Sequence, residues 1–220
     1  MGSNELGRAR GPAPSHPVTL STFYIHRHEV TNGEYQLCVE AGACIPPHSS
    51  SSSTRIDYYG LPEYDQFPVV AITQLQAQSY CTWIEGSLPT EQQWEKAARS
   101  TDGRRYPWGD EPPLSADANL AFDSGPHDTH RVGTHSHDRS PHAVFDMAGN
   151  VSEWTMSWYI SYEGNLQPFD YEGTLVVIRG GDFLSDPVST SYGRTYFRSS
   201  DSPEGWGFST GFRCVWSPEH

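Results

Sequence analysis

Residues 88–99 read LPTEQQWEKAAR, and this stretch carries a complete set of helix-start and helix-end signals. Thr90 stands three residues before Gln93, so that each side chain can bond to the other's free backbone amide in a capping box. Pro89 comes just before the cap, and Arg99 suits the negative C-terminal end of a helix dipole. The pattern predicts a helix that begins at Thr90 and ends near Arg99.

Two more capping boxes predict two more short helices earlier in the chain. The pairs are Thr31 with Glu34, before a helix to about Ala41, and Thr73 with Gln76, before a helix to about Trp83. Short strands are expected at residues 18–25, 69–71, 153–159, 176–179 and 211–215. Few helices, short antiparallel strands and long loops are typical of an α+β domain. Loops this long in a compact domain need additional stabilisation.

Composition limits the classes of function. The chain has 220 residues, 13% of them aromatic, which favours one loop-rich globular domain over residues 1–220. The net charge is −13 and Lys96 is the only lysine, which argues against nucleic-acid partners but is compatible with binding cations. No apolar run approaches the roughly 20 residues of a membrane span, so we expect no membrane insertion. We expect a monomer.

Residues 1–4 carry no signal-peptide pattern, and we interpret the chain as a trimmed or mature form.

The four cysteines allow three disulfide pairings. Cys38 and Cys44 are close in sequence at the end of the first predicted helix, so they can close a small loop. A bridge between Cys81 and Cys214 would close a very long loop and stabilise the fold by a few kcal/mol. The alternative is buried free thiols in a cytosolic protein. Disulfides would indicate an extracytoplasmic location, periplasmic or at the cell surface.

A series of ordered motifs resembles the formylglycine-generating enzyme (sulfatase-modifying factor) family over essentially the whole chain. The matching segments are 23–35, 88–99, 106–109, 146–154, 179–181 and 211–214. The resemblance implies that family's variant of the C-type lectin fold, with little regular secondary structure. It also implies a disulfide between the positions that match Cys81 and Cys214.

The segment from Asp146 to Glu153 offers a set of hard oxygen ligands. Asp146 and Glu153 supply carboxylates, and Gly149 and Val151 can supply backbone carbonyls, which Ca²⁺ prefers. The family resemblance implies that these positions bind calcium. The alternative is a capped turn in which Glu153 bonds backbone amides.

The resemblance implies a second calcium site, built from an asparagine with an apolar neighbour and a later acidic loop. Asn119 and Leu120 match the pair, and Asp123 and Gly125 are the best match for the loop. The spacing of the loop differs from the family, so Asp128 remains a rival ligand.

The family's oxidase chemistry uses two cysteines that bind Cu(I), a soft metal that selects thiolates. Aligned on the flanking motifs, these positions fall on Ser185 and Thr190, and a nearby family serine becomes Asp182. Hydroxyls are poor Cu(I) ligands. We therefore expect no copper and no formylglycine-generating oxidase activity.

The same interval, 182–210, is rich in the residues that recognition surfaces use, namely Tyr, Arg, Trp and small polar residues. The candidate ligand-binding residues are Asp182, Ser185, Thr190, Tyr192, Arg194, Tyr196, Trp206 and Phe208. The alternative is that Arg194, Arg198 and part of the aromatic set belong to the scaffold.

Residues 182–203 contain no Trp, Gln, Lys, Met, Glu or Asn. Apart from Asn, these are residues that an NNC codon cannot encode. Some variable proteins of diversity-generating retroelements use this fold and randomise this segment at AAC codons, and the composition resembles that outcome.

Five histidines crowd residues 127–142: His127, His130, His135, His137 and His142. Such spacing can bind zinc or copper. With no cysteine nearby and no helix to align two of them, we interpret the segment as a solvated loop.

Three functions remain under consideration. The first is a calcium-stabilised binding or display module that presents residues 182–210 to a protein, peptide or glycan. The second is an enzyme or maturation factor with altered, non-copper chemistry, using Asp182, Ser185 and Arg194. The third is an extracytoplasmic sensor domain.

Overall fold

A computed structural model describes residues 1–4, 14–163, 173–187 and 192–218 of the chain. Three α-helices are present in these ranges: α1 (Asn32–Glu40), α2 (Gln74–Trp83) and α3 (Glu91–Arg99), with a 3₁₀ turn at Pro62–Tyr64. Each α-helix begins at its predicted threonine with a complete capping box. The three helix predictions are confirmed. They could be made from the sequence because a capping box is a contact between near neighbours in sequence.

The strands of the described residues form two sheets. A two-stranded antiparallel sheet joins β1 (Tyr24–Ile25) to β6 (Val215–Trp216). A four-stranded sheet has the order β4-β3-β2-β5, built from β2 (Ser152–Trp158), β3 (Val176–Arg179), β4 (Arg198–Asp201) and β5 (Thr210–Gly211). β2 runs antiparallel to β3 and parallel to β5. The architecture is α+β, as predicted.

Several strand predictions need correction. Only the last two residues of 18–25 pair as a strand, and 69–71 form no strand, since Ala71 adopts a left-handed φ of 58°. The segment 211–215 divides between β5 and β6, which belong to different sheets. β4 was not expected, because RSSD carries no apolar alternation.

Both predicted disulfides are present. Cys38–Cys44 closes the loop after α1, and Cys81–Cys214 joins α2 to the C-terminal segment across 133 residues of sequence. All four cysteines belong to the main hydrophobic core, which also contains Trp154 and Phe212. The Cys81–Cys214 bridge therefore links α2 to the C-terminal segment, and the Cys38–Cys44 bridge fixes the loop after α1.

None of the described helices is long and apolar enough to cross a membrane.

Candidate functional site

The structure brings the two predicted calcium segments into direct contact. The Asn150 amide donates to the Asn119 carbonyl at 2.9 Å, and Asn119 Nδ2 donates to Asn150 Oδ1 at 3.1 Å. A Cβ on Gly149 would lie 2.6 Å from the Asn119 carbonyl oxygen, so only glycine allows this approach. Asp146 and Asn150 both adopt left-handed φ values, of 57° and 70°. These conformations turn the chain tightly between Asp146 and the start of β2.

Four buried carboxylates surround this turn, two more than the sequence analysis placed there. Asp146 and Glu153 were predicted, and Glu29 and Asp138 join them. Glu29 accepts from the Val151 amide at 3.1 Å and from the Asn150 side chain. Glu29 lies in the motif before α1 and could have been noticed there. Asp138 stands in the histidine-rich segment, where no sequence signal singled it out.

The side chain of Asp138 binds the backbone amides of the turn. Its carboxylate accepts from the amides of Met147, Ala148 and Gly149 at 3.0–3.2 Å. Burial, followed by the charge of Asp146, raises the pKa of Asp138 to about 8, although the amide hydrogen bonds act in the opposite direction.

The pKa of Glu29 is also raised well above its ordinary value, first by burial and then by the charges of Asp146 and Glu153. For both carboxyl groups, burial is the main cause of the raised pKa and the neighbouring carboxylates add to it.

Glu153 is bound by side chains rather than by backbone amides. Its two oxygens accept from Arg213 Nε at 2.8 Å, Arg213 Nη2 at 2.7 Å and Trp94 Nε1 at 2.8 Å. The expected alternative of a turn capped by Glu153 is therefore wrong, and Glu29 and Asp138 perform that role. As a metal ligand, Glu153 would share its oxygens with Arg213.

The turn offers carboxylate and carbonyl oxygens, which is the type of donor that hard cations prefer. Arg213 is the one buried cation recorded against the four carboxylates in the described residues. Among the described residues, no three His, Cys, Asp or Glu side chains converge closely enough to hold a metal by themselves. A cation here would need backbone carbonyls beside the Asp146 carboxylate, whose Oδ2 already accepts from the Gly133 amide at 2.6 Å.

The acidic residues of the second predicted site have different environments. Asp123 is exposed, and its Oδ1 accepts from the Gly125 amide at 2.8 Å. Asp128 is buried and accepts from Ser52, Thr54 and Arg55. Asp128 thus anchors the loop around residues 52–55, and Asp123 remains the better candidate to contact an ion.

The aromatic residues near the end of the interval 182–210 form an exposed platform. Trp206 is 44% exposed and Phe208 is 37% exposed, with their ring centroids 5.9 Å apart. The ring of His48 stacks on Trp206, with centroids 5.4 Å apart and an interplanar angle of 2°. His48, from a distant part of the sequence, was not predicted to belong to this surface. We refer to His48, Trp206 and Phe208 as the aromatic platform.

A groove of about 540 Å³ adjoins the platform at His48. Ile45, Leu75 and Glu204 are among its lining residues, and the two aliphatic side chains are 65% and 58% exposed. The platform and the groove together combine apolar area with an acidic group.

Other predicted surface residues have different positions. Tyr192 is partly exposed and its ring contacts Phe197, with centroids 4.4 Å apart. Arg194 donates to the Tyr196 hydroxyl at 3.0 Å. Tyr196 is only 2% exposed and Arg99 lies over its ring, so its prediction as a surface residue is wrong. Thr190 lies outside the described residues. Leu184, which was not predicted, is 55% exposed.

Arg198 belongs to the scaffold. Its guanidinium lies between the rings of Tyr159 and Tyr162, 4.5 and 4.2 Å from their centroids, and pairs with Glu91 of α3. Arg179 pairs with Glu95 on the same helix. These buried pairs attach the four-stranded sheet to α3 beneath the interval 182–210.

The predicted histidine segment is a loop without helix or strand. His130 Nδ1 and His135 Nε2 are 3.0 Å apart, and His135 Nδ1 lies 3.2 Å from the Ala116 carbonyl. Burial, and then the charge of His135, lowers the pKa of His130, although this residue is exposed at the surface as the predicted solvated loop requires.

Comparison with known proteins identifies the family. The family model for the sulfatase-modifying factor enzyme 1-like domain matches residues 1–218. The chain belongs to this family.

Curated relatives of this sulfatase-modifying factor-like domain have several different names. Over 92% of the chain, it is 31% identical to hercynine oxygenase of Mycobacterium tuberculosis. Over 94% of the chain, it is 28% identical to the formylglycine-generating enzyme of Thermomonospora curvata, of which it covers 86%. The chain spans 54% of the hercynine oxygenase and 35% of the protein kinase Pkn1 of Chlamydia trachomatis, which is 30% identical.

Solved structures share the fold. PvdO from Pseudomonas aeruginosa superposes with a TM-score of 0.76 at 26% identity, over 98% of this chain and 89% of PvdO. Variable protein 1 of Treponema denticola superposes with a TM-score of 0.72 at 23% identity, over 92% of this chain and 87% of that protein. The second likeness shows the fold alone.

The sulfatase-modifying factor-like domain has no thiolate to offer at the family's copper position. All four cysteines are joined in disulfides. Ser185 is 5% exposed, and its hydroxyl donates to Asp182 Oδ1 at 2.7 Å. The donors present here do not fit Cu(I). The burial of Ser185 also corrects its prediction as an exposed ligand-binding residue.

Proposed function

We propose that this domain is a calcium-stabilised binding module that presents the interval 182–210 to a protein, peptide or glycan. The observation that carries the proposal is the exposed aromatic platform, seated on a scaffold that is braced by two disulfides and by buried ion pairs. Large aromatic side chains on a rigid support contribute contact area at little conformational cost. The platform is therefore the part of the interval that we assign to ligand contact.

Rigidity beneath the platform supports this assignment. The Ala71 amide donates to the Gly207 carbonyl at 2.9 Å, and the Ser152 amide donates to the Ser209 carbonyl at 2.9 Å. The backbone on both sides of Phe208 is thus attached to the core. A ligand meeting Trp206 and Phe208 would not have to order this backbone segment.

The module would act outside the cytoplasm, where two disulfides persist. The composition of 182–203 keeps a diversity-generating retroelement variable protein as a specific form of the proposal. A template repeat and a reverse transcriptase gene beside the coding sequence are the observations that would test this form.

The enzyme alternative has less support. Ser185 and Asp182 bond to each other, and Arg194 donates to Tyr196, so these side chains make hydrogen bonds within the domain. We therefore favour binding over catalysis.

Replacing Trp206 by alanine should weaken ligand binding at least tenfold, because truncating a central interface tryptophan typically costs about 2 kcal/mol or more. Ligands would be selected from a displayed random-peptide library and a glycan array, and their affinities measured by surface plasmon resonance. Trp158→Ala is the matched control, since Trp158 is 50% exposed on β2, outside the interval. Failure to select any ligand, or equal losses in the two variants, would contradict the proposal.

Removing calcium should lower the thermal melting midpoint. A ligand at about 100 times its Kd stabilises by about 2.7 kcal/mol, which corresponds to roughly 5–10 °C for a domain of this size. The midpoint would be measured in EDTA, in excess Ca²⁺ and in Mg²⁺ at constant ionic strength. Only Ca²⁺ should restore it.

Asp146→Asn should reduce this calcium-dependent shift, since it removes one charge and keeps the shape. Asp57→Asn, in an exposed loop, should not change it. A midpoint insensitive to EDTA, or an unchanged shift in Asp146→Asn, would argue against calcium at the turn.

A further inference from the structure

A second cavity, of about 560 Å³, lies between residues 20–25, the C-terminal half of α3 and residues 142–144. Its lining shares no residue with the calcium segments or with the interval 182–210. The volume is typical of small-molecule sites, which span about 300–1,000 Å³. Much of the wall is apolar, from Leu20, Phe23, Ile25, Ala97 and Val144.

The charge of this cavity is opposite to that of the protein. Arg27, Lys96 and His142 line it, and none of the described lining residues is Asp or Glu. The whole chain has 27 acidic residues against 14 Lys and Arg. The positive charges of Arg27 and Lys96 beside an apolar wall, with no acidic residue in the described lining, therefore make a local reversal of charge.

No contact within the described part of the protein explains the position of the Lys96 side chain. Within the described part of the chain, no hydrogen-bond or ion-pair partner is recorded for its ammonium group. One turn later on α3, Arg99 pairs with Glu95 at 3.1 Å. A lysine near the end of a helix gains some energy from the helix dipole, but this requires neither a cavity nor the two other basic groups.

Arg27 is held at the cavity by its neighbours. Its Nε donates to the Ala143 carbonyl at 3.3 Å, and its guanidinium lies 5.4 Å from the centroid of the Phe145 ring. No carboxylate partner is recorded for Arg27 in the described ranges. Its remaining N–H groups are available to an anion.

His142 reports the same positive field. Its pKa is lowered first by burial and then by the charges of Lys96 and Arg104. A bound anion would compensate those charges.

We propose that this cavity binds a small amphipathic organic anion, such as an aromatic or short acyl carboxylate. The anionic head group pairs with Lys96 and Arg27, and the apolar body packs against the aliphatic and aromatic wall. Each part of the site matches one part of such a ligand. A neutral apolar molecule would leave the basic groups unpaired, and a small inorganic anion would leave the apolar wall exposed to water.

The test uses 1-anilinonaphthalene-8-sulfonate, an amphipathic aryl anion whose fluorescence rises on binding, with the calcium-loaded full chain. We expect saturable binding to one site. Displacement by 2-naphthoate should be at least fivefold stronger than displacement by the uncharged 2-naphthalenemethanol. Lys96→Gln and Arg27→Gln should each weaken binding of the probe roughly fivefold, the size expected for one partly exposed charge pair.

Arg131→Gln is the matched control, because it makes the same change in net charge at an exposed arginine outside the cavity. Near-ultraviolet circular dichroism would establish that each variant is folded. If Lys96→Gln does not fold, the binding measured for Arg27→Gln tests the proposal. The proposal is overturned if the wild type does not bind the probe or if Lys96→Gln and Arg27→Gln bind it normally. It is equally overturned if Arg131→Gln loses as much affinity, or if the neutral alcohol competes as well as the acid.

Discussion

Replacing Cys81 and Cys214 together by alanine should lower the free energy of unfolding by about 5 kcal/mol. The bridge spans 133 residues of sequence, and the chain-entropy estimate for a loop of that length is about 5 kcal/mol. Small domains are commonly stable by about 5–15 kcal/mol, so this loss is a large fraction of the total. It should appear in urea denaturation as a lower midpoint.

The double replacement of Cys38 and Cys44 is the internal comparison. Their separation is 6 residues, and the same estimate gives only about 2 kcal/mol. Both pairs are buried in the same core cluster, so the loss of packing is similar and the difference reports loop length. Equal losses from the two bridges would show that loop closure does not govern their effect.

Replacing Arg213 by methionine should cost about 3–5 kcal/mol, because it leaves the buried Glu153 carboxylate without its cation. Arg213 is fully buried, and it also donates to the carbonyls of His26 at 3.1 Å and Phe145 at 2.8 Å. The variant therefore loses hydrogen bonds to two segments of backbone in addition to the ion pair. The free energy of unfolding would be measured by urea denaturation in the presence of Ca²⁺.

A compensating double variant and a control variant test the reason for this loss. Adding Glu153→Gln to Arg213→Met should recover part of the loss, because the remaining amide is neutral and can still accept from Trp94. Arg139→Met is the control, since Arg139 is exposed and contacts the Phe145 ring at 5.6 Å, and it should cost less than about 1 kcal/mol. A loss in Arg213→Met no larger than that of the control would refute the argument.

The Cys81–Cys214 bridge and the Arg213–Glu153 pair both stabilise the backbone that supports the aromatic platform. The Cys81–Cys214 bridge ties α2 to the C-terminal segment, and Arg213, its neighbour in sequence, ties that segment to β2 through Glu153. β2 in turn pairs with β5, which directly follows the aromatic platform. Removing either the disulfide or the ion pair is therefore expected to loosen the backbone of the platform.

Local contacts explain which parts of the fold could be predicted. Each helix start rests on two side chains three residues apart, and all three were predicted. Strands were predicted less well, because a strand needs a partner that the local pattern does not name. The segment 69–71 is apolar yet forms no strand, whereas the polar RSSD of β4 pairs fully with β3.

The candidate sites show the same limit. The segments 119–120 and 146–153 were expected near calcium, and the structure packs them together. Glu29 joins them from 122 residues before Val151, a separation that no local pattern covers. Asp138 lies only 10 residues before Ala148, but in a segment whose pattern drew attention to its histidines. The His48 ring reaches Trp206 in the same way, from about 160 residues earlier in the chain.

The sequence by itself determined the family, the helix starts and the absence of cysteine at Ser185 and Thr190, because these depend on residue identity and short spacing. Only the tertiary structure decided which side chains are exposed. Tyr196 and Ser185 are buried, and Arg198 belongs to the scaffold. Lys96 lines a largely apolar cavity and has no ion-pair partner among the described residues. Exposure depends on what the rest of the chain packs against a residue, and in a loop-rich fold those neighbours come from far away in sequence.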